Sequence, residues 1–394
     1  MKRLSVLFLC FMMLFSFSLC HAEQSEEEPV LSDLDNQFIR IFRSYRTVGA
    51  SLLVARNGEI VYRYDYGYSD RKARETVEEN TYFLIASVTK FVTGIHVMQL
   101  VERGLLSLDE DISVYLGYKV QNPYYPKVPL TLRMLMTHTS SLSMNGSYSN
   151  SRRTLESLIS TDRNARSNYY KEKPGSKYRY SNFGAGVLGS LIEAVTGKNV
   201  DDSIRESLFE PLGIDGSYAA SRLKTPSDIT NLYTAGGAAV YKSRSMSISK
   251  EWDPSVNPDR HYRITVGRLW LRNTDLCRLG IMLCNGGTLD GISVLRPETV
   301  AEMIKDQHGS NGIAADTPYG LCVHRDDTLV PGDIVFGHQG LNEDVVCNIY
   351  MHPESGFVFS LVTNGCNNAL DHRVAKVSRR LFTLAWETFG PSAD

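Results

Sequence analysis

Residues 83–95 are FLIASVTKFVTGI, and they place Ser87 and Lys90 three positions apart at the start of a long apolar run. A run of this length predicts a buried helix, which we expect to end near Gly104. Residues three apart lie on one helix face, so the amine of Lys90 can reach the hydroxyl of Ser87. An amine with a lowered pKa can accept the serine proton, and the first helical turn offers free N–H groups to an oxyanion. The stretch therefore predicts a serine nucleophile with a lysine base.

The Ser-x-x-Lys pattern occurs twice more, as SRLK at residues 221–224 and as SISK at residues 247–250. Neither copy opens a long apolar helix, and the second lies in a polar, serine-rich segment. The context therefore selects Ser87. The alternative interpretation is a serine that caps a helix, followed by a solvated lysine.

The first 22 residues have the pattern of a secretory signal peptide. Two basic residues precede an apolar segment at residues 4–19, and Ala22 offers a small residue before the cleavage point. We therefore expect a mature chain that begins at Glu23 with an acidic linker at residues 23–32. The alternative is an uncleaved anchor, although the apolar segment is short for a transmembrane span. The prediction is an exported protein, secreted or held in the periplasm or cell envelope, without a stable membrane span after cleavage.

The chain of 394 residues has 42 basic and 44 acidic residues, so its formal net charge is −2. It has no block of basic residues, which argues against a nucleic-acid partner. It contains neither a CxxC nor an HExxH pattern, so we predict no metal and no cofactor. The cysteines beyond the predicted signal peptide are too few for a disulfide framework, and we expect buried free thiols at Cys277, Cys284, Cys322, Cys347 and Cys366.

Strand-like patterns lie near both ends of the chain, and helical patterns fill its middle. A hairpin is predicted at residues 50–68, and later strands are expected at residues 319–324, 344–351 and 356–363. Helices are expected at residues 132–136, 155–159, 184–196 and 371–387. This order predicts an α/β (α+β) fold with one antiparallel sheet, flanked by N- and C-terminal helices.

The same order predicts a division into domains. Residues 33–104 and 263–394 would form an α/β sheet domain. Residues 105–262 would form a mostly helical inserted domain that ends in an irregular loop at residues 219–262. A ligand site is expected in the cleft between the two parts.

Tyr180 and Asn182, in the sequence Tyr-Ser-Asn, are the candidates for the remaining proton transfer and for orienting the substrate. A nearby ammonium could lower the pKa of the Tyr180 phenol, and the amide of Asn182 can orient a carbonyl group. The same triplet occurs at residues 148–150, but that copy lies in a loop of Ser, Asn and Gly with no ordered element directly after it. The context therefore selects residues 180–182.

His338 and Gly340, in the sequence His-Gln-Gly, precede the strand predicted at residues 344–351. A glycine beside an edge strand lets a substrate backbone approach closely. The N–H of Leu341 could join that of Ser87 to form an oxyanion hole. The alternative is that His338 is a structural residue in a strand turn.

Together and in this order, Ser87/Lys90, Tyr180/Asn182 and His338/Gly340 resemble the motifs of the serine β-lactamase and penicillin-binding protein superfamily. The branch that the chain resembles most comprises the class C β-lactamases, the D-alanyl-D-alanine carboxypeptidases and related esterases. The resemblance covers about residues 35–385.

The resemblance implies a role for each motif residue. Ser87 would be the acylated nucleophile and Lys90 its base, while Tyr180 would shuttle a proton. Asn182 would orient the acyl group, the N–H groups of Ser87 and Leu341 would hold the oxyanion, and His338 would line the site. His138 and Trp270 would have architectural roles.

Two departures from the pattern bear on the substrate. His338 stands where β-lactamases of this branch carry lysine, so a permanent cation for a β-lactam carboxylate is missing. Glu343 and Asp344 replace a small, glycine-rich stretch and would favour a substrate with an amine.

We therefore predict an exported serine hydrolase that acts through a Ser87 acyl-enzyme on D-alanyl peptides or esters of the bacterial cell envelope. This activity is of the carboxypeptidase or esterase type and needs neither metal nor cofactor. The alternatives are a true β-lactamase and a catalytically idle recognition protein that keeps the fold.

Overall fold

The computed structural model describes residues 32–144, 148, 153–160, 163–240, 253, 261–309, 312, 313 and 318–391. The predicted signal peptide and residues 23–31 of the predicted linker lie outside the described residues. So do most of the predicted loop after residue 240, including the SISK copy of the serine–lysine pattern, and residues 149 and 150 of the second Tyr-Ser-Asn triplet.

Eleven α-helices are found among the described residues. They are α1 (Asp33–Ser44), α2 (Val88–Glu102), α3 (Ser113–Leu116), α4 (Leu132–Met136), α5 (Leu155–Ile159), α6 (Asn182–Thr196), α7 (Val200–Ile204), α8 (His261–Ile264), α9 (Asn273–Cys284), α10 (Pro297–Ile304) and α11 (Lys376–Phe389). Within the part of the chain that the structure describes, no helix combines the length and the apolar character that a bilayer crossing requires.

The strands are concentrated near the two ends of the chain. They are β1 (Gly49–Arg56), β2 (Glu59–Asp70), β3 (Glu75–Thr76), β4 (Tyr82–Leu84), β5 (Trp270–Arg272), β6 (Thr288–Leu289), β7 (Ile292–Ser293), β8 (His324–Asp326), β9 (Val335–Asn342), β10 (Val345–His352), β11 (Phe357–Thr363), β12 (Leu370–Asp371) and β13 (Val374–Ala375).

Seven of these strands form one antiparallel sheet in the order β3-β2-β1-β11-β10-β9-β8. The sheet joins the two ends of the chain, because β1 pairs with β11 from Ala50↔Thr363 to Arg56↔Phe357. Alternate side chains of a strand point to opposite faces. Leu52 therefore packs in one cluster with residues of α1 and α11, while Leu53 packs in another with residues of α2 and α9. The predicted fold class, a single antiparallel sheet flanked by the terminal helices, is confirmed.

Residues between β4 and β5 form helices, turns and isolated bridges wherever the structure describes them. The helices predicted at residues 132–136 and 155–159 are α4 and α5, and the helix predicted at 184–196 begins two residues earlier, as α6. The mostly helical character of this region therefore agrees with the prediction. Its treatment as a separate inserted domain stays a prediction.

One strand prediction near the third motif is wrong. The predicted strand at residues 319–324 is a single bridge between Tyr319 and His324, because Cys322 has a left-handed backbone with φ of 56° that an extended strand excludes. The segment before residue 344, which carries the third motif, is strand β9. Its glycines disfavour a strand, yet Gly337 is needed there, since a Cβ at this position would lie 1.8 Å from the carbonyl oxygen of Ile349.

Candidate active site

Ser87 lies at the tight turn that connects strand β4 to helix α2. The turn depends on Ala86, whose φ of 45° is unusual for a residue with a side chain. Ser87 occupies the N-cap position of α2, but its side chain makes no capping hydrogen bond. The hydroxyl is therefore available for another role, and the alternative of a capping serine finds no support.

Lys90 lies one turn into α2 with only 1% of its surface exposed. Its Nζ lies 3.0 Å from Ser87 Oγ and donates a 2.5 Å hydrogen bond to the carbonyl oxygen of Val266. Burial lowers the pKa of Lys90 to about 7, because a buried amine loses the hydration that stabilises its charged form. A substantial fraction of this amine is therefore neutral near pH 7 and can accept a proton from Ser87.

Tyr180 approaches the same hydroxyl from the segment that precedes α6. Its side chain is half-buried, and Lys90 Nζ lies 5.3 Å from the centre of its ring. The pKa of Tyr180 is raised to about 12 by burial, although a hydrogen bond with Ser87 acts in the opposite direction. The expectation that the neighbouring ammonium would lower this pKa is wrong, because desolvation of the phenolate outweighs it. The phenol is therefore protonated at neutral pH and suited to donate a proton.

Asn182 is the first residue of α6, and Ser181 caps that helix through a hydrogen bond from Gly184 N–H to its hydroxyl. The Oδ1 atom of Asn182 is buried and has no hydrogen-bond partner among the described residues. A buried acceptor without a donor is costly. This oxygen is therefore an acceptor that no group of the described residues uses, and a role for it in binding substrate stays a prediction.

Strand β9 brings the third motif to the start of α2. Strand β8 pairs with β9 only as far as Gly337, so residues 338–342 form an edge of the described sheet. A Cβ on Gly340 would lie 2.6 Å from the carbonyl oxygen of Ile85 and 3.0 Å from the nitrogen of Ser87. The half-buried Leu341 follows directly. This placement is compatible with an oxyanion hole made by the N–H groups of Ser87 and Leu341, which stays a prediction.

Gly340→Ala is expected to inactivate the protein while leaving most of the fold intact. The new methyl group would push the backbone of Ile85 and Ser87 away from β9, because both contacts are with main-chain atoms. We expect a rate loss of about 100-fold for any acylating substrate, since displacements near 1 Å cost this much. Gly236→Ala is the matched control, because only Thr234 Oγ1 lies near its added Cβ, at 3.5 Å. Steady-state kinetics and a thermal melt of both variants check this expectation, and an active Gly340→Ala protein would contradict it.

His338 lies beneath the site rather than on its surface. Its side chain is fully buried, its Nδ1 lies 2.7 Å from the carbonyl oxygen of Gln339, and its ring centre lies 4.2 Å from that of His324. Burial, together with the nearby His324 and Lys90, keeps the pKa of His338 well below its ordinary value. The imidazole is therefore uncharged at neutral pH and offers no cation to a substrate carboxylate.

The two acidic residues after β9 have different environments. Glu343 is exposed in the turn between β9 and β10, with φ of 49°. The carboxylate of Asp344 instead accepts a 2.8 Å hydrogen bond from the N–H of Ala235. Asp344 therefore anchors a loop, whereas the preference of these two acids for a substrate with an amine stays a prediction.

Three residues at or beneath the site were not identified from the sequence. Val266 contributes only a backbone carbonyl, and no residue type signals such a role. Tyr319 and Cys322 lie in a segment that was interpreted as a strand. Cys322 is buried close enough to Lys90 for the amine to lower the thiol pKa slightly, although burial raises it to about 12. Cys322, with its left-handed backbone, packs directly against Gly94 on α2, where an added Cβ would collide with the side chain of Cys322.

The five cysteines are free, as expected. Among the described residues, one group could offer several metal ligands, namely Asp333, His352 and Glu354. Both ring nitrogens of His352 already have partners, Ser355 Oγ and Asp333 Oδ2, each at 2.8 Å. None of the predicted site residues belongs to this group.

Known proteins of two kinds, an esterase and a penicillin-binding protein, are similar to this chain in sequence. Esterase EstB from Burkholderia gladioli is 34% identical over 194 residues, which are 46% of this chain and 49% of EstB. Penicillin-binding protein 4 from Amycolatopsis lactamdurans is 26% identical over 341 residues, 84% of each chain. The chain spans about half the length, or less, of most curated relatives that it matches.

A solved structure shares the fold. The D-amino acid amidase from Ochrobactrum anthropi SV3, complexed with D-phenylalanine, superposes with a TM-score of 0.66 and 21% identity, covering 90% of this chain and 98% of the amidase. The family model Beta-lactamase matches residues 33–383, nearly all of the chain that follows the predicted signal and linker. The family predicted from the three motifs is confirmed: the chain belongs to the Beta-lactamase family, within the serine β-lactamase and penicillin-binding protein superfamily.

Proposed function

We propose that this protein is a serine hydrolase that acts through an acyl-enzyme on Ser87. The observation that carries the proposal is the buried amine of Lys90, which has a pKa of about 7 and lies 3.0 Å from Ser87 Oγ. A general base is most effective when its pKa lies near the working pH. Family membership and the esterase and penicillin-binding relatives support a hydrolase of this fold.

The proposed reaction has two steps. Ser87 Oγ attacks the carbonyl carbon of the substrate while Lys90 Nζ accepts the serine proton, and the N–H groups of Ser87 and Leu341 stabilise the oxyanion. The carbon–oxygen or carbon–nitrogen bond to the leaving group then breaks, and the leaving group takes a proton from Tyr180, which Lys90 replenishes. Water releases the acyl group by the reverse sequence of proton transfers.

The proposed substrates are D-alanyl peptides or esters of the bacterial cell envelope, reached by export through residues 1–22. Among these we favour the esterase type. An uncharged, fully buried His338 offers no cation to the terminal carboxylate that a carboxypeptidase must recognise. The unpartnered Oδ1 of Asn182 and the exposed Glu343 instead favour an acyl donor that carries N–H groups or an ammonium. The same lack of a cation argues against efficient β-lactam turnover.

Intact-protein mass spectrometry with three acyl donors tests the proposal. We expect rapid turnover of a p-nitrophenyl or D-alanyl ester, slow turnover of D-alanyl-D-alanine, and a lasting adduct with benzylpenicillin. Fast release of penicilloate would instead identify a true β-lactamase, and preference for the dipeptide would identify a carboxypeptidase. If no donor is hydrolysed and none modifies Ser87, the hydrolase proposal is wrong and the idle recognition protein is the better description.

A further inference from the structure

Tyr319 lies between two histidines directly beneath the candidate site. Its hydroxyl oxygen lies 3.3 Å from His138 Nε2 and 3.3 Å from His338 Nε2. All three side chains are at least 98% buried. None of them is placed to touch a substrate, so any effect on the reaction must pass through other residues.

The hydrogen positions at one end of this chain follow from its backbone partner. The N–H of Ser181 donates a 3.2 Å hydrogen bond to His138 Nδ1. Burial, with Lys90 and two other histidines nearby, keeps the pKa of His138 well below its ordinary value, so the ring is neutral. A neutral imidazole carries one N–H. Because Nδ1 of His138 accepts, its Nε2 carries the hydrogen and donates to Tyr319.

The other end is fixed in the same way. Nδ1 of His338 lies 2.7 Å from the carbonyl oxygen of Gln339, and a carbonyl oxygen can only accept. Nδ1 of the neutral His338 ring therefore carries the hydrogen, and its Nε2 is an acceptor. The hydroxyl of Tyr319 must then accept from His138 and donate to His338, so every hydrogen in the chain has one position.

The chain connects two of the three motifs. It begins at the backbone of Ser181, next to Tyr180, and ends at the backbone of Gln339, next to Gly340. The rings that surround it are those of Tyr178 and His308, which pack on Tyr319, and of His324, which packs on His338 and whose pKa burial lowers to about 4. Lys90 and His324 lie near enough to lower the pKa of both histidines, His308 acts on that of His138, and Arg373 acts on that of His324.

We propose that Tyr319 is a positioning residue of the active site, whose hydroxyl donates to Nε2 of the neutral His338 ring and ties the Tyr180 segment to strand β9. Its effect on the rate rests on the proposed function, whereas its effect on His338 does not. Tyr319 affects the reaction by fixing the distance between Tyr180, the proton donor, and the edge of strand β9, which carries Leu341 of the oxyanion hole.

The first test is made on the unaltered protein. Two-bond ¹H–¹⁵N correlation spectra of the histidine-labelled full chain, assigned with His138→Gln and His338→Gln variants, report which nitrogen of each ring is protonated. We expect the Nδ1–H form for His338 and the Nε2–H form for His138, both unchanged between pH 6 and 8. An Nε2–H form of His338, or its conversion to imidazolium in that range, overturns the proposal without any change to Tyr319.

The second test compares Tyr319→Phe with Tyr178→Phe. Both variants remove one phenolic hydroxyl from the same cluster, but the hydroxyl of Tyr178 makes no hydrogen bond with a described residue. We expect Tyr319→Phe to lower kcat for an ester by about 10- to 100-fold with a smaller change in KM, and the Nε2 resonance of His338 to shift because this nitrogen loses its hydrogen-bond donor. We expect the Tyr178→Phe control to change neither quantity.

The outcomes separate this inference from the proposed function. If the wild-type protein never acylates Ser87, the hydrolase proposal fails, and the histidine spectra still decide the tautomers. If Ser87 is acylated but Tyr319→Phe is as active as Tyr178→Phe with an unchanged His338 spectrum, the positioning role is overturned. A folded Tyr319→Phe protein is verified by its thermal melt, and the wild-type spectra stand where that variant does not fold.

Discussion

Ser87→Ala is expected to abolish the acyl-enzyme and to lower kcat/KM for an ester by about 10⁴-fold or more, as for other nucleophile deletions. The substitution removes only the hydroxyl group, whose oxygen lies 3.0 Å from Lys90 Nζ. Its loss should not weaken helix α2, because the side chain makes no capping hydrogen bond. Activity and stability should therefore separate: the protein loses its reaction and keeps its melting temperature.

Ser221→Ala is the matched control for this experiment. Ser221 belongs to the SRLK copy of the pattern, in a short 3₁₀ helix at Ala220–Arg222. Its hydroxyl is buried without a partner among the described residues, so removing it costs no hydrogen bond there. Mass spectrometry with benzylpenicillin and ester kinetics should show a normal enzyme for Ser221→Ala. Equal loss in both variants, or persistent acylation of Ser87→Ala, would mean that the nucleophile has been misassigned.

Lys90→Met is expected to produce a protein that is nearly inactive yet more stable than the wild type at pH 7. Without the amine, Ser87 has no base, and we expect kcat to fall by about 10³-fold. The wild-type rate should rise with pH through about 7, as the amine loses its proton, and this rise should disappear in the variant. Methionine fills a similar volume without a group that prefers to be charged in water.

The sign of the stability change follows from the lysine pKa values. The pKa of Lys90 is about 7 in the folded protein and 10.5 in the unfolded chain, so between these pH values the unfolded state binds the extra proton. The lysine therefore destabilises the fold as the pH falls from 10.5 to 7, and below 7 the full penalty remains. Lys90→Met removes this penalty, and we expect the free energy of unfolding at pH 7 to rise by about 2–4 kcal/mol. The lost hydrogen bond to the Val266 carbonyl offsets part of the gain.

Urea unfolding of the wild type and Lys90→Met at pH 7 and at pH 10.5 measures this difference. We expect a clear gap at pH 7 that nearly closes at pH 10.5. Lys224→Met, at the exposed lysine of the SRLK copy, should show no such pH dependence. A Lys90→Met protein that is less stable at pH 7 would show that the amine is not held neutral by burial.

The nucleophile could be identified from the sequence because its signal is local. Ser87 and Lys90 are three residues apart on one apolar helix, so the pattern itself brings their side chains together. Tyr180 and Asn182 were identified because a helix is predicted directly after them, at residues 184–196. The structure places Lys90 and Tyr180 against the Ser87 hydroxyl, although the catalytic roles of all four residues stay proposals.

The remaining features depend on contacts between distant segments, which no local pattern encodes. The carbonyl oxygen of Val266 approaches Lys90 only because the chain returns after the helical region. The local pattern placed His338 in the cleft. Its burial could not be predicted, because it depends on contacts with Tyr319 and His324, which come from another segment of the chain. The third motif can lie on strand β9 because Gly337 allows close approach to β10. The absence of a side chain at Gly337 therefore serves packing in the sheet.

The pairing of β1 with β11 dictates an order of events during synthesis. Strand β1 is made near the beginning of the chain, and its second partner, Phe357–Thr363, is made almost at the end. The hairpin β1–β2 therefore waits with one open edge while about three hundred further residues are added, roughly 15–60 s at ordinary elongation rates. Open strand edges promote aggregation. Until its last strands have been synthesised, a nascent chain of this topology needs to be bound by a chaperone or kept unfolded.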